Sequence, residues 1–291
     1  MSLFDQLVDE ALRARGDLSS LRPVVEKELL HHDILREMSA VGLLAGLTFI
    51  GGTCLRACYG SSRLSEDLDF TGGSDFRRGD LAELAKILTD RLKSRYGLPV
   101  RVSEPVKTGG NVSTWKLVIE TRPGRKHLPA QRINLDICAI PSHDPRPMML
   151  RNIYGVDLGT SGLILQAESR EEILADKVVA LALRENRIKN RDLWDLAWLT
   201  LQGVELPLPL ISLKIRDHKW KKTGFIAALE ARLAALRERP DMRADFVKEM
   251  WRFLPATAVR DTIEKEPYWR SLTQIVTELG QKAVAALKSP P

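Results

Sequence analysis

The sequence predicts a mixed α/β (α+β) half followed by an α-helical half. Three observations predict it. Between residues 47 and 140, short apolar runs of strand character alternate with helical stretches and with Gly or Pro turns. From Glu171 onward the apolar residues recur at helical spacing, punctuated by Pro207, Pro209, Pro240, Pro255 and Pro267. The texture changes at 167–170, which predicts domains of 1–168 and 169–291.

The elements follow in order. Leu3, Phe4, Leu7, Val8 and Leu12 recur at helical spacing, and Gly16 ends that helix. A second helix starts near Arg22, with Pro23 in its permitted first turn, and its apolar pattern runs to about Leu44. Residues 47–50 read as a short buried strand, broken by Gly51-Gly52 and followed by a short helix over 54–59. A strand at 67–70 and a helix over 81–96 come next. Three further strands are expected at 100–103, 115–121 and 133–140, with turns at Gly109-Gly110 and Pro123-Gly124. The proline-rich stretch 141–147 reads as irregular, and 163–167 as a last short strand.

Composition narrows the class. The chain has 291 residues, 44% hydrophobic and 28% charged, which excludes disordered and fibrous classes. Its net charge is +6, compatible with a polyanionic partner without demonstrating one. Three cysteines, Cys54, Cys58 and Cys138, make no disulfide framework and point to a reducing compartment. Cys54 and Cys58 lack the second ligand pair that a structural zinc needs. The first residues have no signal-peptide pattern and no apolar run is long enough to span a bilayer, so a cytoplasmic setting is expected.

Chemistry concentrates in Phe49-Ile-Gly-Gly-Thr-Cys-Leu-Arg56 and Ser65-Glu-Asp-Leu-Asp-Phe70. A strand running into Gly-Gly and then a helix lets backbone approach a ligand without Cβ interference, and aims free amides at an anion. Asp67 and Asp69 sit at i and i+2 of an expected strand, so both carboxylates share a face. Adjacent carboxylates repel unless a cation neutralises them, and hard oxygen ligands suit Mg²⁺. Asp136 interrupts the apolar strand Ile133-Asn-Leu-Asp-Ile-Cys-Ala-Ile140, where an acid is costly unless paired or coordinating.

A Gly-Gly turn, Asp-x-Asp and a later strand Asp resemble the DNA polymerase β-type nucleotidyltransferase superfamily. The wording GGTCLRACYG and RLSEDLDF is similar to the AbiEii/MenT family of toxin nucleotidyltransferases. Glu172-Ile-Leu-Ala-Asp-Lys177 and Arg191-Asp-Leu-Trp-Asp-Leu196 match two further motifs of that family, so the resemblance spans roughly 48–200. It implies a mixed sheet of nucleotidyltransferase type, with the helical half forming the other wall of a cleft. It also implies an Mg²⁺-dependent toxin, with a two-ion site, moving NMP from an NTP to RNA, above all the 3′ end of tRNA. That would block aminoacylation and growth in a toxin–antitoxin or phage-defence system. An antitoxin encoded beside it is the implied partner.

Roles follow from chemistry beside the resemblance. Asp67 and Asp69 would hold the nucleotide-bound Mg²⁺, and Asp136 would help hold a second ion or serve as base. Gly51, Gly52 and Thr53 would cradle phosphates, with Arg56 and Ser65 close by. Lys177 would bring positive charge to the triphosphate. Asp192 and Asp195, three apart on a helix, would orient Lys177 or Arg191, or contact the nucleotide. Two basic clusters suit RNA: Arg184, Arg187, Lys189 and Arg191, and the group Lys214, Arg216, His218, Lys219, Lys221 and Lys222 around Trp220. Two alternatives stand beside this reading: transfer to a protein or small molecule such as an antibiotic hydroxyl, and a nucleotide- or RNA-binding module without turnover.

Overall fold

A computed structural model of the chain describes residues 2–105, 110–124, 128–184 and 187–289. These form two compact units, Met1–Glu168 and Ser169–Pro291. In the first, α1 (Leu3–Ala14) is capped by the Ser2 hydroxyl, which accepts from the Asp5 amide. A 3₁₀ segment, Gly16–Leu21, leads into α2 (Arg22–Ala40), with Pro in its first turn as expected. The helix stops short of Leu44, and the chain turns through Gly42 at φ 77°.

A seven-stranded mixed sheet follows, in the order β3-β4-β5-β2-β1-β7-β6. Its strands are β1 (Thr48–Ile50), β2 (Leu68–Thr71), β3 (Val100–Ser103), β4 (Val112–Ile119), β5 (Gln131–Cys138), β6 (Pro145–Met149) and β7 (Ile164–Glu168). β2 pairs parallel with β5, β1 parallel with β7, and the other neighbours are antiparallel. The inserted helices are α3 (Gly51–Ala57) and α4 (Leu84–Tyr96). Gly97 ends α4 in the left-handed region at φ 65°, the usual glycine stop. Gly109 of the expected Gly109-Gly110 turn lies outside the described residues.

Two readings are corrected here. The stretch 141–147 is not wholly irregular, because residues 145–147 belong to β6. Pro145 and Pro147 disguise it, yet an edge strand tolerates proline because its outward amides bond nothing. The Gly-Gly pair does not precede a helix starting at Cys54; Gly51 and Gly52 are themselves the first turn of α3.

The sheet separates core from chemistry by its alternation. Leu68, Phe70, Ile133, Leu135 and Ile137 are buried. Asp69, Asn134 and Asp136 alternate with them and so project from the opposite face. Burying those five apolar side chains contributes about 1.5–3 kcal/mol each, which sets the register of both strands.

One face of α2 braces this unit. Glu28, His32 and Arg36 lie four apart. Tyr154 donates to Glu28, the His32 Nδ1 lies 2.9 Å from Thr160 Oγ1, and Arg36 donates to the Leu158 carbonyl at 2.6 Å. All three partners belong to the connection between β6 and β7.

The second unit contains α5 (Arg170–Leu183), α6 (Asn190–Leu201), α7 (Leu208–Asp217), α8 (Lys222–Glu238), α9 (Asp241–Met250), α10 (Ala256–Ala258), a π segment Val259–Ile263, and α11 (Glu266–Lys288). Five prolines of this half stand at helix starts: Pro207 and Pro209 at α7, Pro240 at α9, Pro255 at α10 and Pro267 at α11. Its core runs through Phe225, Leu229 and Leu233 of α8 and Leu272, Val276 and Ala283 of α11. Gly280 permits that packing, since a Cβ there would lie 2.6 Å from Leu233 Cδ1.

Candidate active site

In the first unit the expected acids converge. Asp69 and Asp136 are register partners on the parallel strands β2 and β5, and Ile50, just before Gly51, pairs with Asp69 on the other side. Asp67 immediately precedes β2, and its Oδ1 accepts the Asn134 amide at 3.1 Å. Three carboxylates therefore lie along one sheet face beside the Gly-Gly turn.

The turn is shaped for close approach. Gly51 has φ 74°, and a Cβ there would lie 3.1 Å from Asp69 Oδ2. At Gly52 a Cβ would come within 2.2 Å of Arg63 Nη2. Arg63 is buried and was missed at the sequence level. The available signal was a second arginine, after Arg56, between the Gly-Gly turn and the Asp-x-Asp pair.

Thr53 and Ser65 are both buried, with their hydroxyls 2.7 Å apart, and Thr53 also donates to the Asp67 carbonyl. The pair ties α3 to the segment carrying the acids, so its contribution in this structure is to hold that segment.

Arg56 departs from the expected phosphate role. Only 4% exposed, its Nε faces both Glu28 oxygens at 3.2 and 3.1 Å, and Nη1 donates to the Ser61 carbonyl at 2.9 Å. Glu28 also accepts the Ser65 amide at 2.8 Å. A buried guanidinium needs a carboxylate, and the nearest lies on α2 rather than on a ligand. Glu28 is the second residue the sequence reading missed.

His31 and Lys27 reach the same segment from α2. The His31 Nε2 lies 3.1 Å from the Glu66 carbonyl, and Lys27 pairs with the Glu66 carboxylate at 2.8 Å. Burial pushes His31 down to about 3, so the ring is neutral and donates through Nε2.

In the second unit Lys177, Asp192 and Asp195 form one buried cluster. The Lys177 Nζ lies 2.6 Å from Asp192 Oδ1 and 2.9 Å from Asp195 Oδ2. Arg184 reaches the other Asp192 oxygen at 3.0 Å. Burial alone would raise the Asp192 carboxyl, but Lys177, Arg184 and Lys189 outweigh it and hold it below the ordinary carboxylate range. Burial, with Lys177, Arg191 and Arg184 nearby, pushes Lys189 down to about 8 against the pull of Asp192.

The first basic cluster is therefore largely spent inside the protein. Arg184 and Lys189 belong to the Asp192 cluster, and Arg191 pairs with Glu249 at 3.3 Å and lies over the Phe253 ring. Arg187 is exposed. Of the second cluster, Lys214 is buried, pairing with Glu172 at 2.6 Å and Asp176 at 2.9 Å. Lys219, Trp220, Lys221 and Lys222 are exposed as expected.

The chemistry of the acids suits a cation. Asp67, Asp69 and Asp136 offer hard oxygens from one face, which fits Mg²⁺. Among the described residues no group of three or more His, Cys, Asp or Glu side chains is placed so as to hold a metal ion. Mg²⁺ does not require such a group, because it keeps water and substrate phosphate in most of its positions.

A mixed sheet bearing these carboxylates beside a Gly-Gly turn has the architecture of a nucleotidyltransferase. The fold matches that of the nucleotidyltransferase toxin MenT4 from Mycobacterium tuberculosis, with a TM-score of 0.56, 17% identity, and 95% of this chain and 93% of that one covered. JHP933 from Helicobacter pylori matches at 0.46 and 18% identity over 88% of this chain and 94% of its own. Comparison with curated proteins gives no match. The profile of the AbiEii family, nucleotidyl transferase toxins of type IV toxin–antitoxin systems, matches residues 33–273, and this chain belongs to that family. It is accordingly a nucleotidyltransferase enzyme, with an NTP as substrate and an antitoxin as partner. No described helix is long and apolar enough to cross a membrane.

Proposed function

We propose that this enzyme transfers NMP from an NTP to the 3′ end of RNA, above all the acceptor end of tRNA, in the cytoplasm. Blocked aminoacylation then arrests growth, as a phage-defence system requires. The observation that carries the chemistry is the alignment of Asp69 with Asp136, with Asp67 two residues before, beside the Gly51-Gly52 turn.

In this reading Asp67 and Asp69 would hold Mg²⁺, and Asp136 would help hold a second ion or take the acceptor hydroxyl's proton. The bound cations would offset phosphate charge as the α-phosphorus is attacked and pyrophosphate leaves. Backbone at Gly51 and Gly52 approaches the phosphates, and Arg63 supplies the buried positive charge assigned to Arg56 at the sequence level. Thr53 and Ser65 hold the acidic segment in place. Lys177 brings its charge to the triphosphate, with Asp192 and Asp195 orienting its ammonium.

The test is incubation with total tRNA and each α-labelled NTP, with Mg²⁺ and then with EDTA. Label should move to RNA, cease with EDTA, and be absent for Asp69→Ala. Label moving instead to protein or to an antibiotic hydroxyl would overturn the RNA assignment. Unchanged transfer by Asp69→Ala would overturn the assignment of the site.

A further inference from the structure

The turn joining α7 to α8 is unlike the other basic stretches of this chain. Between Glu205 and Glu230 the sequence has one acid, Asp217, against Lys214, Arg216, Lys219, Lys221 and Lys222. The structure sorts these cations into two groups. Lys214 turns inward onto Glu172 and Asp176, whereas Arg216, Lys219, Lys221 and Lys222 are exposed. Trp220 stands among them 42% exposed, an unusual position for so large a ring.

The turn has a defined shape. The Trp220 amide donates to the Ile215 carbonyl at 3.1 Å and the Lys219 amide to the Arg216 carbonyl at 2.8 Å, which closes the end of α7. Lys219 has φ 58°, the one positive φ among described non-glycine residues. The Gly224 backbone lies under the indole, where a Cβ would be only 3.9 Å from its ring carbons. No acidic residue occupies the first turn of α8, so the positive end of that helix adds to the lysines.

Lys214 anchors this turn to the helix that carries Lys177. Its partner Asp176 directly precedes Lys177 on α5, and Asp176 also acts electrostatically on His218, one residue before Lys219. The basic turn and Lys177 thus belong to one braced pair of helices, α5 and α7.

We infer that the Lys219–Lys222 turn is a landing site for a single-stranded nucleic-acid segment, with a base stacked on Trp220 and neighbouring phosphates on Lys219, Lys221 and Lys222. A flat exposed ring with cations on both sides matches alternating bases and phosphates. An acidic peptide would use the lysines and leave the ring idle. The inference deepens the RNA-acceptor reading by placing the strand, and it rests on that reading for its role in transfer.

The experiment measures binding of a fluorescent 12-nucleotide oligouridine RNA in EDTA, without NTP, across a salt series. Trp220→Ala should weaken binding about 5- to 150-fold, with Trp220→Phe recovering part of the loss. Lys219→Gln/Lys221→Gln/Lys222→Gln should lower the slope of log affinity against log salt by about 2, at roughly 0.7 for each phosphate no longer neutralised. With tRNA and NTP, the same variants should raise the KM for RNA and leave kcat at saturating RNA unchanged. The replaced lysines are exposed, so the lysine variant should melt near wild type, and Trp220→Phe, which keeps a ring over Gly224, controls for packing lost in Trp220→Ala. Unchanged affinity and salt slope in the variants would overturn the proposal, as would polyglutamate binding as tightly with no dependence on Trp220. Trp220-dependent RNA binding in an enzyme that labels only protein would support the landing site while refuting the RNA-acceptor reading.

Discussion

Replacing Lys177 with Met separates two roles that coincide in one buried ammonium. In the wild type that group lies 2.6 Å from Asp192 and 2.9 Å from Asp195, whose side chains are 2% and 0% exposed. Breaking a buried pair by removing one partner costs about 3–5 kcal/mol, because the remaining charge stays desolvated. Asp192 retains Arg184 at 3.0 Å, which tempers its share of that cost. At about 2–4 °C per kcal/mol for a chain of this size, Lys177→Met should melt roughly 10 °C lower. Lys177→Met/Asp195→Asn should recover part of that shift, because one of the two carboxylates that faced the lost ammonium is then neutral. Transfer of α-labelled NMP should stay about 10²–10³-fold down in both, the range for losing one preorganised charge at a transition state. Recovery of activity along with stability would refute the assignment of Lys177 to the triphosphate. An unchanged melting temperature in Lys177→Met would refute the desolvation argument itself.

Other expectations bear on the first unit and on Lys189. Gly52→Ala should place a methyl 2.2 Å from the Arg63 guanidinium, cost about 1–3 kcal/mol, and raise the KM for NTP; an unchanged KM would remove Arg63 from the site. Asp69→Asn should abolish transfer while leaving resistance to urea near wild type, since the amide keeps the side chain's size and one oxygen; a large loss of stability would show the carboxylate to be structural. Burial lowers His31 to about 3 and His32 to about 4, so the unfolded chain binds more protons below pH 6.5. Stability should therefore fall as pH drops from about 6.5 toward 4, by about 1.4 kcal/mol per pH unit for each ring, partly offset by the raised Asp33 carboxyl. In His32→Gln about half of the histidine slope should vanish, and urea melts at stepped pH measure it. Lys189 should titrate near 8 in NMR of ¹³C-methylated protein; a value above 10 would mean that its surroundings are wetter than the structure shows.

The parts legible in the sequence were those set by local periodicity. Asp67 and Asp69 share a face because strand side chains alternate, and Asp136 stood out because Ile133, Leu135 and Ile137 flank it. Pro207, Pro209, Pro240, Pro255 and Pro267, read as punctuating the helical half, fall at helix starts for a covalent reason, their fixed φ and missing amide. The misread parts depend on distant partners. Whether Arg56 faces phosphate or protein is decided by Glu28, twenty-eight residues upstream, and nothing near Arg56 announces it. Lys214 reads as surface until Glu172 and Asp176 are seen beneath it. β6 was concealed by Pro145 and Pro147, whose cost depends on an edge position that only the assembled sheet defines.

The family match begins at residue 33, part-way along α2. Lys27, Glu28 and His31, which grip the segment leading to Asp67, all lie before that point. The shared motif of this family is thus supported here by a stretch that the shared pattern does not include. A chain trimmed to 33–273 would keep every residue assigned to the chemistry and lose the carboxylate facing Arg56. Its guanidinium would then lose its carboxylate, and the Ser65 amide would lose the acceptor that fixes its loop. For this enzyme the smallest functional unit is therefore larger than the recognisable one. Relatives that lack an acid at the position of Glu28 should also lack a buried arginine at the position of Arg56.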